Sequence, residues 1–200
     1  MTTYAFPNIQ PSNLSFWIGE SNAAVFRSPF GDYVQTADRE GERWLVRAAW
    51  SILQGDDRAD LLAFMHKLNG MQHRFTMQDF GHVQRGSLGG SPLVNGGSQT
   101  GKTLNIDNCP NNITDWAKAG DRIGLGNKMY SVDSDVDTNG SGQAVLSLSP
   151  RIYVAPATDS SVDVITPVEI LVLSDGTFTF NTTKNMVSTL SFAAMGIPNE

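Results

Sequence analysis

The sequence has very little cysteine and no long apolar run. Cys109 is the single cysteine among 200 residues, which excludes an internal disulfide and a zinc site made only of cysteines. No stretch approaches the roughly 18 consecutive apolar residues that a membrane-spanning helix needs. The N-terminus has neither a basic segment nor an apolar run. We therefore expect no signal peptide, synthesis in a cytosol and no membrane partner.

Positive charge is also scarce. Fourteen Lys and Arg stand against twenty Asp and Glu, which gives a net charge of −6. This balance argues against nucleic acid as a partner, since phosphate binding requires clustered Lys and Arg. Most of the excess lies in residues 123–200, which carry three basic and eight acidic side chains. With 40% hydrophobic and 17% charged residues, the chain has the composition of a folded protein with a core.

Groups of residues typical of catalysis are missing as well. His66, His73 and His82 lack the i, i+4 spacing with which a helix presents two zinc ligands. The sequence contains no Gly-x-Ser-x-Gly elbow, and Cys109 has no neighbour that would activate its thiol. We therefore predict no catalytic, cofactor-binding or metal-binding residue, and no enzyme.

One glycine-rich segment matches the phosphate-binding P-loop pattern in full, from Gly96 to Thr103. That pattern binds phosphate when a strand leads into the loop and a helix begins at its Lys-Thr pair. Residues 104–112 contain several asparagines and a proline, so they disfavour a helix. We predict a flexible Gly/Ser loop, and a nucleotide hydrolase that uses Lys102 and Thr103 remains the alternative.

A second segment, Asp133–Gly140, resembles a calcium-binding loop. Asp135, Asp137 and Asn139 occupy its first, third and fifth positions, but the twelfth position is Leu146 instead of a bidentate glutamate. The flanking residues have the pattern of strands. We predict a polar hairpin tip with local Asx turns, and leave a weak calcium site open.

Hydrophobic periodicity predicts a mainly β protein with one helix. Leu61, Phe64, Met65 and Leu68 form one apolar stripe, which predicts a helix over 57–69. We expect Asp56 or Asp57 as its N-cap and Gly70 as its left-handed end. A short helical turn is expected at 114–118 and a turn at 174–176. Alternation or short apolar runs predict strands at 14–18, 43–50, 71–80, 103–107, 121–126, 128–132, 143–148, 168–173, 177–180 and 187–193.

Two stretches suggest how the chain divides. Six glycines lie between Gly86 and Gly101, and a segment rich in Pro, Ala and Ser follows Pro150. Because the ends of a domain commonly lie close together, we predict that 1–85 and 157–200 form one discontinuous β-sandwich domain that carries the helix. Residues 86–156 would form a small inserted β-barrel-like or β-meander unit.

The order of several short motifs resembles a known family. They occur at 7–11, 28–31, 41–44, 60–65 and 68–70 in the N-terminal part, then at 97–101, 118–123, 126–132 and 142–151, and finally at 190–194. In this order they are similar to tail proteins of long-tailed bacteriophages, especially those of the distal tail protein type.

The resemblance implies a virion structural protein without catalytic residues. It implies a homohexameric ring, built from a β-sandwich with one helix, at the end of the tail tube. Such a ring joins the tail tube protein to the baseplate hub, to tail fibre proteins and to receptor-binding parts. Two alternatives stay open: another tail or neck ring protein, or a carbohydrate- or host-surface-binding module. In the module, exposed aromatic residues among Trp17, Trp44, Trp50 and Trp116 would serve as sugar platforms.

Overall fold

A computed structural model describes residues 1–19, 24–27, 31, 34–37 and 41–198. Ser28, Pro29 and Phe30 of the motif at 28–31 lie outside the described residues. The predicted mainly β fold class with one packed helix is confirmed for the part that is described. The elements are β1 (Thr3–Ala5), β2 (Asn13–Ile18), β3 (Ala24–Arg27), β4 (Val34–Ala37), β5 (Trp44–Leu53), α1 (Gly55–Leu68), β6 (Arg74–Gln78), β7 (Leu93–Val94), β8 (Gly101–Asp107), β9 (Arg122–Leu125), β10 (Lys128–Val132), β11 (Ala144–Ile152), β12 (Val162–Asp163), β13 (Val168–Thr182) and β14 (Ser188–Gly196).

The first sheet combines strands from both ends of the chain. Its order is β1-β6-β13-β14-β5-β2, and all neighbours are antiparallel except the parallel pair β1 and β6. Trp44, Val46, Ala48 and Trp50 alternate on the buried face of β5, as the period of two predicts. The side chains of Val46, Ala48 and Trp50 form a core with the apolar faces of β6, β13 and β14.

Helix α1 covers this core with the predicted stripe, because Leu61, Phe64, Met65 and Leu68 are all buried. The predicted N-cap is wrong. Gln54 takes that position without a side-chain cap, and both candidate aspartates lie in the first turn. Their negative charge there interacts favourably with the helix dipole. The left-handed end begins at Asn69 (φ 46°), one residue before Gly70 (φ 68°).

The predicted turn at 174–176 is also wrong, because these residues lie inside β13, a strand of fifteen residues. The register between β13 and β14 shifts between Leu173 and Phe178, and Gly176 has φ 65°. An extra stretch on one strand with a left-handed glycine is a β-bulge, which bends a strand without ending it.

The second sheet curls into a near-barrel. Its order is β12-β9-β10-β11-β8-β7, and a bridge between Leu93 and Ser161 joins the two outer strands. The amide of Val94 donates to the Ser160 carbonyl at 3.0 Å, and that of Val162 donates to the Pro92 carbonyl at 3.0 Å. Closure therefore removes the free edges that an open sheet would expose.

The middle of the chain supplies this near-barrel. The helical turn predicted at 114–118 is absent, because Ala117 forms a β-bridge with Val136 that fixes extended backbone there. β12 lies within 157–200 but pairs in the second sheet. The division into an outer domain and an inserted unit stays a prediction. Within the described residues, no helix is both long and apolar enough to cross a membrane.

Candidate functional site at the junction of sheet and barrel

Among the contacts between the first sheet and the barrel, the backbone of Met129 on β10 is bound from both sides. The indole Nε1 of Trp44 donates to the Met129 carbonyl at 2.6 Å, and the Met129 amide donates to Glu169 Oε2 at 2.8 Å. The next contact is between backbones, where the Ile170 amide donates to the Asn127 carbonyl at 2.9 Å. Because both polar groups of Met129 are bound by side chains of the first sheet, the two sheets are held in one arrangement.

Arg122 supports the same junction from β9. Its guanidinium lies over the Trp44 ring at 4.7 Å, a cation–π distance. Nη1 donates to the Gly120 carbonyl at 3.1 Å and to Ser131 Oγ at 2.7 Å, and Nε lies 3.7 Å from Asp79 Oδ2. Burial lowers the pKa of Arg122 below its usual range, and the carboxylate of Asp79 opposes that shift. Asp79 therefore compensates a cation that is partly removed from water.

Glu169 and Lys128 form a buried pair on the other side of Met129. Burial raises the pKa of Glu169 to about 8, against the opposing effects of Lys128 and of the Met129 amide. Burial also lowers the pKa of Lys128. The 3.7 Å between Lys128 Nζ and Glu169 Oε1 exceeds the length of a hydrogen bond, so the pair compensates its loss of hydration only in part.

A cleft of about 200 Å³ opens beside Arg122, lined among others by Asp79, His82 and Gln84. Several of its polar groups already form hydrogen bonds with one another. Gln84 donates to the Arg122 carbonyl at 2.6 Å and accepts the Arg122 amide at 2.9 Å. His82 Nε2 lies 3.0 Å from Gln84 Oε1. The arrangement positions the barrel, and the described contacts contain no nucleophile paired with a base.

The segment that matches a P-loop has a different geometry here. β8 begins at Gly101, so Lys102 and Thr103 lie in a strand where phosphate binding requires the start of a helix. Lys102 Nζ forms an ion pair with Glu42 Oε1 at 2.9 Å. The side chain of Gln99 closes the loop by accepting the Asn105 amide at 2.7 Å. This geometry gives the nucleotide hydrolase no support.

The calcium-like segment directs its oxygens to backbone amides. Asp135 Oδ1 accepts the Ala119 amide and Asp137 Oδ1 accepts the Asp115 amide, each at 2.8 Å. Asn139 Oδ1 accepts the amide two residues on, at 2.9 Å, which is the geometry of an Asx turn. Across the described ranges, no three His, Cys, Asp or Glu side chains are grouped as metal ligands would be.

The aromatic sugar platform loses most of its candidates. Trp116 is fully buried, and its Nε1 donates to the Gly89 carbonyl at 3.0 Å. Trp44 and Trp50 are also buried, which leaves Trp17, at 37% exposure, as the partly accessible tryptophan. Three of the four rings therefore cannot stack on a sugar from solvent.

The histidines and the cysteine do not assemble into a site. His66 packs against Phe178 with ring centroids 6.0 Å apart, whereas His73 packs against Tyr4 at 5.6 Å. Cys109 is buried, and burial raises the pKa of its thiol to about 11. A thiol that stays protonated at neutral pH is a poor nucleophile.

Sequence reasoning named Trp44 only as a candidate sugar platform and assigned no junction role to Met129, Arg122 or Glu169. It also missed one buried aspartate beside them. Asp121 is fully buried and accepts the backbone amides of Arg85, Gly86 and Lys118 at 2.7, 2.9 and 2.7 Å. It lies inside the motif at 118–123 that carries part of the family resemblance. Glu169 carried a clearer signal, because it is the one charged residue in the apolar run 168–173.

No protein-family model matches this chain, and no curated protein sequence is significantly similar to it.

Proposed function

We propose that this chain is a structural protein of a bacteriophage tail, a distal tail or baseplate ring component. In that role it links the tail tube to the baseplate hub and to receptor-binding parts. The order of the sequence motifs supports the proposal, and one structural observation carries it furthest: the first sheet ends in β2, which pairs on one side only among the described strands.

The outer edge of β2 has the features of a strand that can pair with another chain. Its residues, Asn13–Ile18, include no charge and no proline, the features with which natural edge strands usually prevent pairing. The Gly19 amide donates to the Arg43 carbonyl at 2.7 Å. Hydrogen bonding alternates along an antiparallel pair, so the polar backbone groups of Leu14, Phe16 and Ile18 point away from β5. Over the described ranges no strand pairs with them.

The hairpin of β3 and β4 is a candidate partner for this edge in a neighbouring copy. β3 and β4 pair with each other, and in the described part of the chain they join neither six-stranded sheet. A two-stranded hairpin alone is marginally stable in water, so we expect another chain to support it. Pairing of one copy's hairpin with the β2 edge of the next copy is a head-to-tail contact, which generates a ring when the rotation closes.

The partners follow from this role. The chain would bind copies of itself to form a homohexameric ring. The ring would contact the tail tube protein and baseplate hub or tail fibre proteins, and it would be located in the virion. Complementary surfaces would hold the assembly together, without catalytic residues or a cofactor. Neither nucleic acid nor a membrane is needed as a partner.

Replacing Ile18 by proline tests the edge. The Ile18 amide points outward, so Ile18→Pro removes a donor for a neighbouring chain and leaves the β2–β5 hydrogen bonds in place. We expect a folded monomer and an assembled fraction at least tenfold lower than wild type, measured by native mass analysis with purified tail tube protein. A loss of about 1 kcal/mol per missing hydrogen bond, repeated around a ring, is sufficient for that effect.

Ile18→Val is the matched control, because it keeps the amide and should assemble like wild type. Wild-type protein that forms no ring and joins no tail, alone or with tube protein, would refute the proposed function. Rings of Ile18→Pro as abundant as those of wild type would refute only the role of the β2 edge.

A further inference from the structure

The contact between barrel and first sheet passes through a buried carboxyl group. Glu169 on β13 is 4% exposed, and its Oε2 accepts the Met129 amide at 2.8 Å. Its other oxygen lies 3.7 Å from Lys128 Nζ, which donates no hydrogen bond among the described residues. Trp44 binds the carbonyl of the same Met129. The carboxyl of Glu169 and the indole of Trp44 therefore hold one point of β10 from opposite sides.

The surroundings of Glu169 favour its neutral form. An ionised carboxyl at this place loses its hydration and faces a cation that is too distant for a direct hydrogen bond. This burial is the main reason why the pKa of Glu169 rises to about 8 from its ordinary 4.5. The charged or titratable groups described around Glu169 are Lys128 and Tyr130 on β10, Arg74 on β6, and Glu42, Arg43, Arg151 and Tyr153 beside a small cavity of about 20 Å³.

We propose that Glu169 is a pH-sensitive latch, which holds the barrel against the first sheet when protonated and lets the junction open more often when ionised. Opening admits water to the carboxylate, and hydration stabilises the ionised form only in the open state. The latch is independent of how the protein assembles, since every group that forms it belongs to one chain.

The direction of the pH dependence follows from proton linkage. The closed junction binds the proton of Glu169 more tightly than the open or unfolded chain does. Its contribution is therefore complete below about pH 4.5 and is lost as the pH rises towards about 8. Within this window the closed-to-open ratio falls by up to about tenfold per pH unit. Lys128, whose pKa is lowered by burial, acts in the opposite sense.

Hydrogen exchange measured by NMR between pH 5 and 8.5 tests the latch. We expect the protection factors of the Met129 amide and the Trp44 indole N–H to fall at least tenfold across this range. The internal control is the amide of Val132, which lies on β10 like Met129 and donates to the Asp121 carbonyl at 2.9 Å. Its protection factor should stay constant. Constant protection of Met129 and Trp44 in the wild-type protein would overturn the proposal.

Two variants identify the titrating group. Glu169→Gln keeps an oxygen that can accept the Met129 amide but cannot ionise, so its protection factors should not vary with pH. Lys128→Gln removes the nearby cation and should move the wild-type transition to higher pH, because the carboxylate loses its stabilising charge. A pH dependence that survives in Glu169→Gln would assign it to another group and would refute the latch.

Discussion

Asp121→Asn is expected to lower the free energy of unfolding by about 3 kcal/mol or more. The carboxylate is fully buried, with Oδ1 bound to the Arg85 amide and Oδ2 to the amides of Gly86 and Lys118. In asparagine an NH₂ group replaces one of these oxygens. This hydrogen-bond donor then faces backbone N–H groups, which are donors too. One or two buried amides then lose their acceptor, and each costs about 1–3 kcal/mol.

Urea denaturation at neutral pH measures this effect. Asp163→Asn is the matched control, because Asp163 Oδ1 also accepts two backbone amides, those of Ile165 and Thr166 at 2.9 and 3.1 Å, but at a more exposed place. Water can replace a lost acceptor there, so we expect a loss below about 1 kcal/mol. Equal losses in the two variants would contradict the structural role of Asp121.

The environment of Gly86 explains why Asp121 matters for the start of the barrel. A Cβ atom at Gly86 would lie 2.5 Å from the Trp116 carbonyl oxygen and 2.7 Å from the Ala117 Cα. The chain therefore passes close to another backbone segment, and the aspartate satisfies the amides of both segments at the crossing. Glycine fits this approach because it has no side chain.

Local periodicity was enough to predict the parts of the fold that depend on it. The stripe from Leu61 to Leu68 and the alternation along β5 are local consequences of burying one face. β7 and β12 escaped prediction because each has two residues, too few for any period to show. Their existence depends on closing the barrel, which no segment of the sequence reveals alone.

The bulge in β13 shows why a turn signature can mislead. Ser174, Asp175 and Gly176 have the composition of a tight turn, and Gly176 does adopt a left-handed conformation. The strand continues nevertheless, because β14 pairs with both halves of β13. Long-range pairing decides between a turn and a bulge when the local residues permit both.

The candidate site was hidden for a similar reason. The carboxylates of Asp121 and Glu169 bind amides that lie 35 or more residues away in sequence, apart from the local amide of Lys118. Conversely, the strongest local motifs, at 96–103 and 133–140, use their polar groups within the fold: Lys102 pairs with Glu42, and Asp135 and Asp137 accept amides 16 and 22 residues away. In this chain a short motif was a weaker guide than a charged residue within an apolar run, as Glu169 is.

Trp44→Ala is expected to lower the free energy of unfolding by about 4 kcal/mol, as for other buried aromatic residues cut to alanine. Trp44 is 1% exposed, packs edge-on against Phe16 at 5.2 Å and lies beneath the Arg122 guanidinium. Its loss leaves a cavity, an Arg122 without its ring and a Met129 carbonyl without its donor. The damage falls on both sheets, because the indole belongs to one and its hydrogen-bond acceptor to the other.

Trp44→Phe separates the hydrogen bond from the packing. Phenylalanine fills most of the space but has no N–H, so we expect a loss of about 1–2 kcal/mol in thermal or urea unfolding. Trp17→Ala is the control for removing a tryptophan at the surface, since Trp17 is partly exposed and its ring lies 5.6 Å from the Arg47 guanidinium. Its loss should stay below about 1 kcal/mol. If Trp44→Ala unfolds no more easily than Trp17→Ala, then Trp44 does not hold the barrel to the first sheet.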